Sequence, residues 1–72
     1  MNQWEMSKRF VKVDYIRTGI VLRNKRTATD SPVIGIVLHG TQAMVTIRNH
    51  SGGQEDITRE QAYRHYTPGI YA

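Results

Sequence analysis

Seventy-two residues without a cysteine suffice for one domain with a small core, and they exclude a disulfide scaffold, a thiolate zinc site and a thiol nucleophile together. No apolar run approaches the roughly 20 residues of a membrane-spanning helix, and the opening Met-Asn-Gln-Trp-Glu-Met-Ser-Lys-Arg lacks the apolar centre of a signal peptide, so the expected compartment is the cytoplasm. The net charge of +4 falls entirely in the first half: residues 1–36 hold seven basic and three acidic side chains, while residues 37–72 hold three of each.

Residues 1–9 carry no periodicity and read as a flexible arm whose Trp4 and Met6 either dock on the domain or stay loose; residues 10–72 read as a single domain. From Phe10 the pattern turns strand-like, with Val11, Val13 and Tyr15 on one side and Lys12 and Asp14 on the other. Gly19 interrupts before Ile20-Val21-Leu22-Arg23 resumes, which predicts a long β segment bent near the glycine. Residues 24–31 are polar throughout, precede a proline and read as an exposed loop, the most basic of the chain through Lys25 and Arg26.

Residues 32–48 are the strongest signal. The β-branched run Val33-Ile34-Gly35-Ile36-Val37-Leu38 suits a pleated sheet, a turn follows at residues 39–42, and Val45 and Ile47 alternate with Thr46 and Arg48 in a second strand. This is a hairpin, and Val33, Ile34 or Ile36, Val37, Val45 and Ile47 are its expected core. A glycine turn at residues 49–54 leads to a further short strand. Thr58 with Gln61 three residues on fits a capping box, and Ile57 stands in staple spacing to Ala62. The helix is expected over residues 59–66, closed by Pro68 and Gly69, with Ala62 and Tyr66 on one face toward an open end of the sheet. The expected fold is therefore mostly β, with five short bent strands in a partly open barrel and one short C-terminal helix.

This order of elements, carried by residues 33–38, by Met44-Val45-Thr46-Ile47-Arg48 and by Asp56-Ile57-Thr58, resembles small SH3-like barrels. Within them it looks like the layout of KOW-type modules, of the photosystem I accessory barrel and of the plasmid-encoded type II dihydrofolate reductases. The resemblance covers about residues 11–62; it is a rhythm of hydrophobic residues and implies a fold, not an activity. The reductases carry a Val-Gln-Ile-Tyr strand in their tetramer pore where this chain reads Glu55-Asp56-Ile57-Thr58, so reductase activity is not implied.

Chemistry-bearing patterns are sparse. His39, His50 and His65 show no His-x-His spacing with carboxylates, Glu55, Asp56 and Glu60 sit where acids meet a turn and a helix start, and Ser31 and Ser51 lack a nucleophile-elbow setting. No enzyme activity, metal or cofactor is expected. One collection suits a functional surface: Lys12, Arg17, Arg23, Lys25 and Arg26, with Lys8 and Arg9 beside them and Tyr15, Phe10 and Trp4 interleaved. Cations beside aromatic rings are what nucleic acid requires for phosphate contact and base stacking. Phe10 and Tyr15 fit a core equally well, and the charge fits a solvated face.

The expected function is a small basic binding module contacting nucleic acid, centred on Arg23, Lys25 and Arg26. The alternative is an adaptor or inhibitor docking on an acidic protein surface. The size and composition are also those of small basic reading frames carried by phages, plasmids and other mobile elements. Tyr63, Tyr66, Ile70 and Tyr71 crowd the C-terminus, where they either form a homodimer interface or fold back to complete the core.

Overall fold

The alternating apolar residues form antiparallel strands. The computed structural model describes residues 9–49 and 51–72, so the expected arm, apart from Arg9, and His50 lie outside the described residues. In chain order the elements are β1 (Phe10–Lys12), β2 (Val21–Asn24), β3 (Asp30–His39), β4 (Gln42–Arg48), β5 (Gln54–Thr58), α1 (Arg59–His65) and β6 (Tyr66–Tyr71). Among the described residues the sheet runs β1-β6-β2-β3-β4-β5 and stays open at β1 and β5. This mostly β architecture with one short helix matches the expected class and is compatible with a small barrel-like fold.

β3 spans both halves of the sheet. Its first residues pair with β2, Pro32 opposite Val21 and Asp30 opposite Arg23, and the rest pairs with β4. Val33 faces Ile47 and Gly35 faces Thr46, so Ile34 is an extra residue, a bulge that bends the strand. Beyond it the hairpin closes through the two-residue loop Gly40-Thr41, with Gly40 at φ +65 in the first central position, where such turns favour glycine.

The core is Ile16, Ile20, Leu22, Val33, Val45, Ile47 and Ala62, with Val13, Ile57, Tyr66 and Ile70 packed against it. Val33, Val45 and Ile47 are where the sequence places them. Ile36 and Val37 are not: with Leu38 they are 41, 42 and 75 % exposed. The bulge resets the alternation, and the hairpin then runs on past the end of the core.

Two further expectations change. The first strand ends at Lys12; residues 13–19 are irregular, Ile16 turns inward and Tyr15 is exposed. The bend at Gly19 is present, at φ +98, and places its N–H on the Val33 carbonyl at 3.1 Å while Val33 N–H donates to Ile20 at 2.9 Å. The polar loop is also shorter than residues 24–31, because Asp30 and Ser31 already belong to β3. Asn24 ties it down: its Oδ1 accepts the N–H groups of Arg26 (2.8 Å) and Thr27 (3.1 Å).

The helix starts where the sequence signals it. Thr58 Oγ1 accepts the Gln61 N–H and Gln61 Oε1 accepts the Thr58 N–H, both at 3.0 Å, a capping box worth about 1 kcal/mol. Ala62 is fully buried. The helix ends at His65, and the chain enters a sixth strand in place of a terminating loop. β6 lies between β1 and β2, a position from which proline is normally excluded. Pro68 turns its carbonyl toward β1, where it accepts the Val13 N–H at 3.0 Å. Within a strand a residue's N–H and C=O point the same way, so the missing N–H of Pro68 also faces residue 13, just past the end of β1, where no ladder bond is lost.

Candidate nucleic-acid interface

The six residues singled out by sequence separate into three groups. Lys12, Lys25 and Arg26 come together. Lys25 and Arg26 sit in the β2–β3 loop, and the loop is fastened to the end of α1: Lys25 N–H donates to the His65 carbonyl at 3.0 Å, and Lys25 Nζ donates to the Tyr63 carbonyl at 3.2 Å. A cation on the last carbonyls of a helix is favourably placed.

Two clefts flank this junction. The larger, about 440 Å³, holds Lys25 and Arg26 against Arg64, His65 and Tyr66. The smaller, about 240 Å³, holds Lys12 and Lys25 against Asp14, Tyr63 and Tyr66. Lys25 and Tyr66 form part of both walls. Among the described residues the clefts therefore combine four permanent cations, Lys12, Lys25, Arg26 and Arg64, with one carboxylate, Asp14. Arg64 is shared with Glu60, at 2.7 Å one helical turn back, an exposed pair of the kind that contributes little to stability.

The sequence leaves Tyr63 and Tyr66 either to a homodimer interface or to the core, and joins neither them nor Arg64 to the loop. No local signal links residue 25 to residues 63–66; only the placement of α1 does. The C-terminal tyrosines divide: Tyr63 and Tyr66 face the clefts, while Tyr71 lies in β6 beside Phe10, ring centroids 6.2 Å apart in an edge-to-face arrangement.

Arg23 forms the second group. Its Nε and Nη2 donate to the two oxygens of Asp30 at 2.7 and 3.0 Å, its guanidinium lies 3.9 Å from the Phe10 ring centroid, and the Tyr71 hydroxyl donates to Asp30. These contacts neutralise Arg23 within the outer face of the sheet. Tyr15 and Arg17 form the third group, a cation–π pair at 5.2 Å in the irregular segment. Neither lines the clefts.

The hydrogen bond from Arg23 holds the Asp30 carboxyl below its ordinary range, against a smaller opposing effect of burial and with help from Tyr71. The hydrogen bond to Asp30, with burial next, raises the Tyr71 hydroxyl. Because Asp30 is depressed on folding, its contribution is complete above about pH 4 and lost as pH falls through its lower folded value; Tyr71, raised on folding, contributes below about pH 10 and loses this as pH rises through its folded value. Thermal melts of wild type and Asp30→Asn should differ near neutral pH and converge in acid. A constant gap down to the lowest pH would remove this network from the acid dependence.

His39 approaches Asp56 at 3.9 Å between exposed side chains, and among the described residues no three His, Asp or Glu side chains converge as metal ligands would. Among them, too, no helix is long and apolar enough to cross a membrane. No family model, curated protein or solved structure matches the chain.

Proposed function

We propose that this domain is a small non-enzymatic module of the SH3-like barrel type that holds nucleic acid by its phosphate backbone at the paired clefts. The observation that supports this reading is the meeting of Lys12, Lys25, Arg26 and Arg64 with Tyr63 and Tyr66 around one junction. Concave basic walls attract a polyanion, and neutralised phosphates release counterions, which makes such binding tight at low salt and weak at high salt.

The test is a fluorescence-anisotropy titration of labelled RNA and DNA oligonucleotides at about 50 and about 200 mM salt. Changing Lys25 and Arg26 together to Ala is expected to weaken binding to every sequence and to flatten the salt dependence by roughly one to two units of slope. Unchanged affinity in the double variant, or no binding by wild type, would overturn the reading. The exposed Ile36, Val37 and Leu38 favour the second one, docking on an acidic protein. In that case the double variant would mainly slow association with one target, and added oligonucleotide would not compete.

A further inference from the structure

Resting on that reading, we infer that the clefts take a single strand rather than a duplex, with an unstacked base lying against Tyr63 and the phosphates on either side reaching Lys12 and the Lys25–Arg26 loop. The first argument is shape. The cations are exposed side chains that line two half-open clefts of about 440 and 240 Å³. A duplex keeps its bases stacked and presents only edges and phosphates, so a ring on a cleft wall meets no base face. A single strand can turn a base out, and every base then offers a π-face. Tyr63 is 39 % exposed at the smaller cleft, with Lys12 and Lys25 beside it.

The second argument comes from the elements that could enter a groove. A two-stranded β-ribbon fits the major groove, about 12 Å wide, and of the β3–β4 hairpin only the tip, beyond the Met44–Arg48 stretch paired to β5, has that form. The tip carries no Lys or Arg, since none lies between Pro32 and Ile47; Arg48 stands at the base of the hairpin, at the end of β4, and the exposed side chains of the hairpin include Ile36, Val37 and Leu38. The helix has seven residues, and its last turn is fastened to the β2–β3 loop through Lys25. The charge therefore lies away from the groove-shaped element and beside the rings.

Lys25 and Tyr66 stand on the wall common to both clefts. A strand leaving the smaller cleft for the larger passes the Lys25 ammonium and comes to Arg26 and Arg64. The smaller cleft thus sets the Tyr63 ring among cations, Lys12 and Lys25, and the larger adds Arg26 and Arg64.

The experiment compares a single strand of about 10 nucleotides with its blunt duplex, as RNA and as DNA, at one salt concentration. Wild type, Tyr63→Ala, Tyr63→Leu and Tyr63→Phe are each checked for folding by circular dichroism. Wild type is expected to bind the single strand at least tenfold tighter than the duplex. Tyr63→Ala and Tyr63→Leu should lose about 5- to 100-fold in affinity for the single strand with the salt slope unchanged, and Tyr63→Phe should keep most of it. A 2-aminopurine base in the strand should change fluorescence on binding wild type and not on binding Tyr63→Leu. Equal affinity for duplex and single strand, or full affinity in the folded Leu variant, would overturn this inference while leaving the nucleic-acid reading in place. No binding of either form would overturn both.

Discussion

Replacing Ile47 with Ala is expected to remove about 2 to 4 kcal/mol of stability. Ile47 is fully buried in β4 opposite Val33, itself 2 % exposed, and shares the core with Leu22 and Val45. Truncation leaves a cavity that surrounding strands, held by ladder hydrogen bonds, cannot close. A domain of this length has about 4 to 11 kcal/mol in all, so the loss is a large share of the total and, at the low end of that range, leaves the variant partly unfolded at room temperature. Urea unfolding followed by circular dichroism measures the loss. Leu38→Ala is the matched control: at 75 % exposure it should stay within about 0.5 kcal/mol of wild type. Equal losses at the two positions would mean that the hairpin does not run past the core.

Gly69→Ala should destabilise by about 1 to 3 kcal/mol, although alanine is ordinarily the better strand residue by about half a kcal/mol or more. A Cβ at Gly69 would lie less than 3.0 Å from three carbons of the Phe10 ring. That ring covers the glycine from the neighbouring strand, beneath the Arg23 guanidinium and edge-on to Tyr71. To admit a methyl group the ring must leave those partners. The same substitution in a Phe10→Ala background should therefore cost much less, and the double-mutant cycle reads that coupling directly. Additive losses would show that the collision is not what glycine avoids.

What the sequence discloses about this molecule is what local chemistry controls. The capping box needs only Thr58 and Gln61 three residues apart, and the hairpin needs only two apolar runs around Gly40. β6 is different. Pro68 and Gly69 read as a stop because the signal for a strand there lies in its partners: Val13, whose N–H takes the proline carbonyl, and Phe10, whose ring takes the space that a glycine side chain leaves empty. The core followed the same rule. Val33, Val45 and Ile47 obey a simple alternation, whereas the bulge at Ile34 resets the count for Ile36 and Val37.

The candidate site was half legible. Composition marks Lys25 and Arg26, but it gives Arg23 the same weight, and only the cross-strand register that sets Asp30 against Arg23 shows that this charge is already occupied. Tyr63 and Tyr66 could not be attached to the loop from sequence, since nothing near them in the chain refers to residue 25.

The pairing of β1 with β6 bears on how the domain assembles. Among the described residues β1 has no other neighbour in the sheet, and its partner Tyr66–Tyr71 comes from the far end of the chain. The consecutive hairpins β2–β3, β3–β4 and β4–β5 form from local contacts, whereas the last step closes a loop of nearly the whole domain, the kind of contact that slows folding toward milliseconds or longer. Once closed, the sheet leaves Arg9 and Ala72 exchanging two backbone hydrogen bonds, at 3.1 and 2.9 Å, which sets their Cα atoms about 5.5 Å apart. The two ends of the described sheet segment at Arg9 and Ala72 are thereby held to each other by the backbone alone.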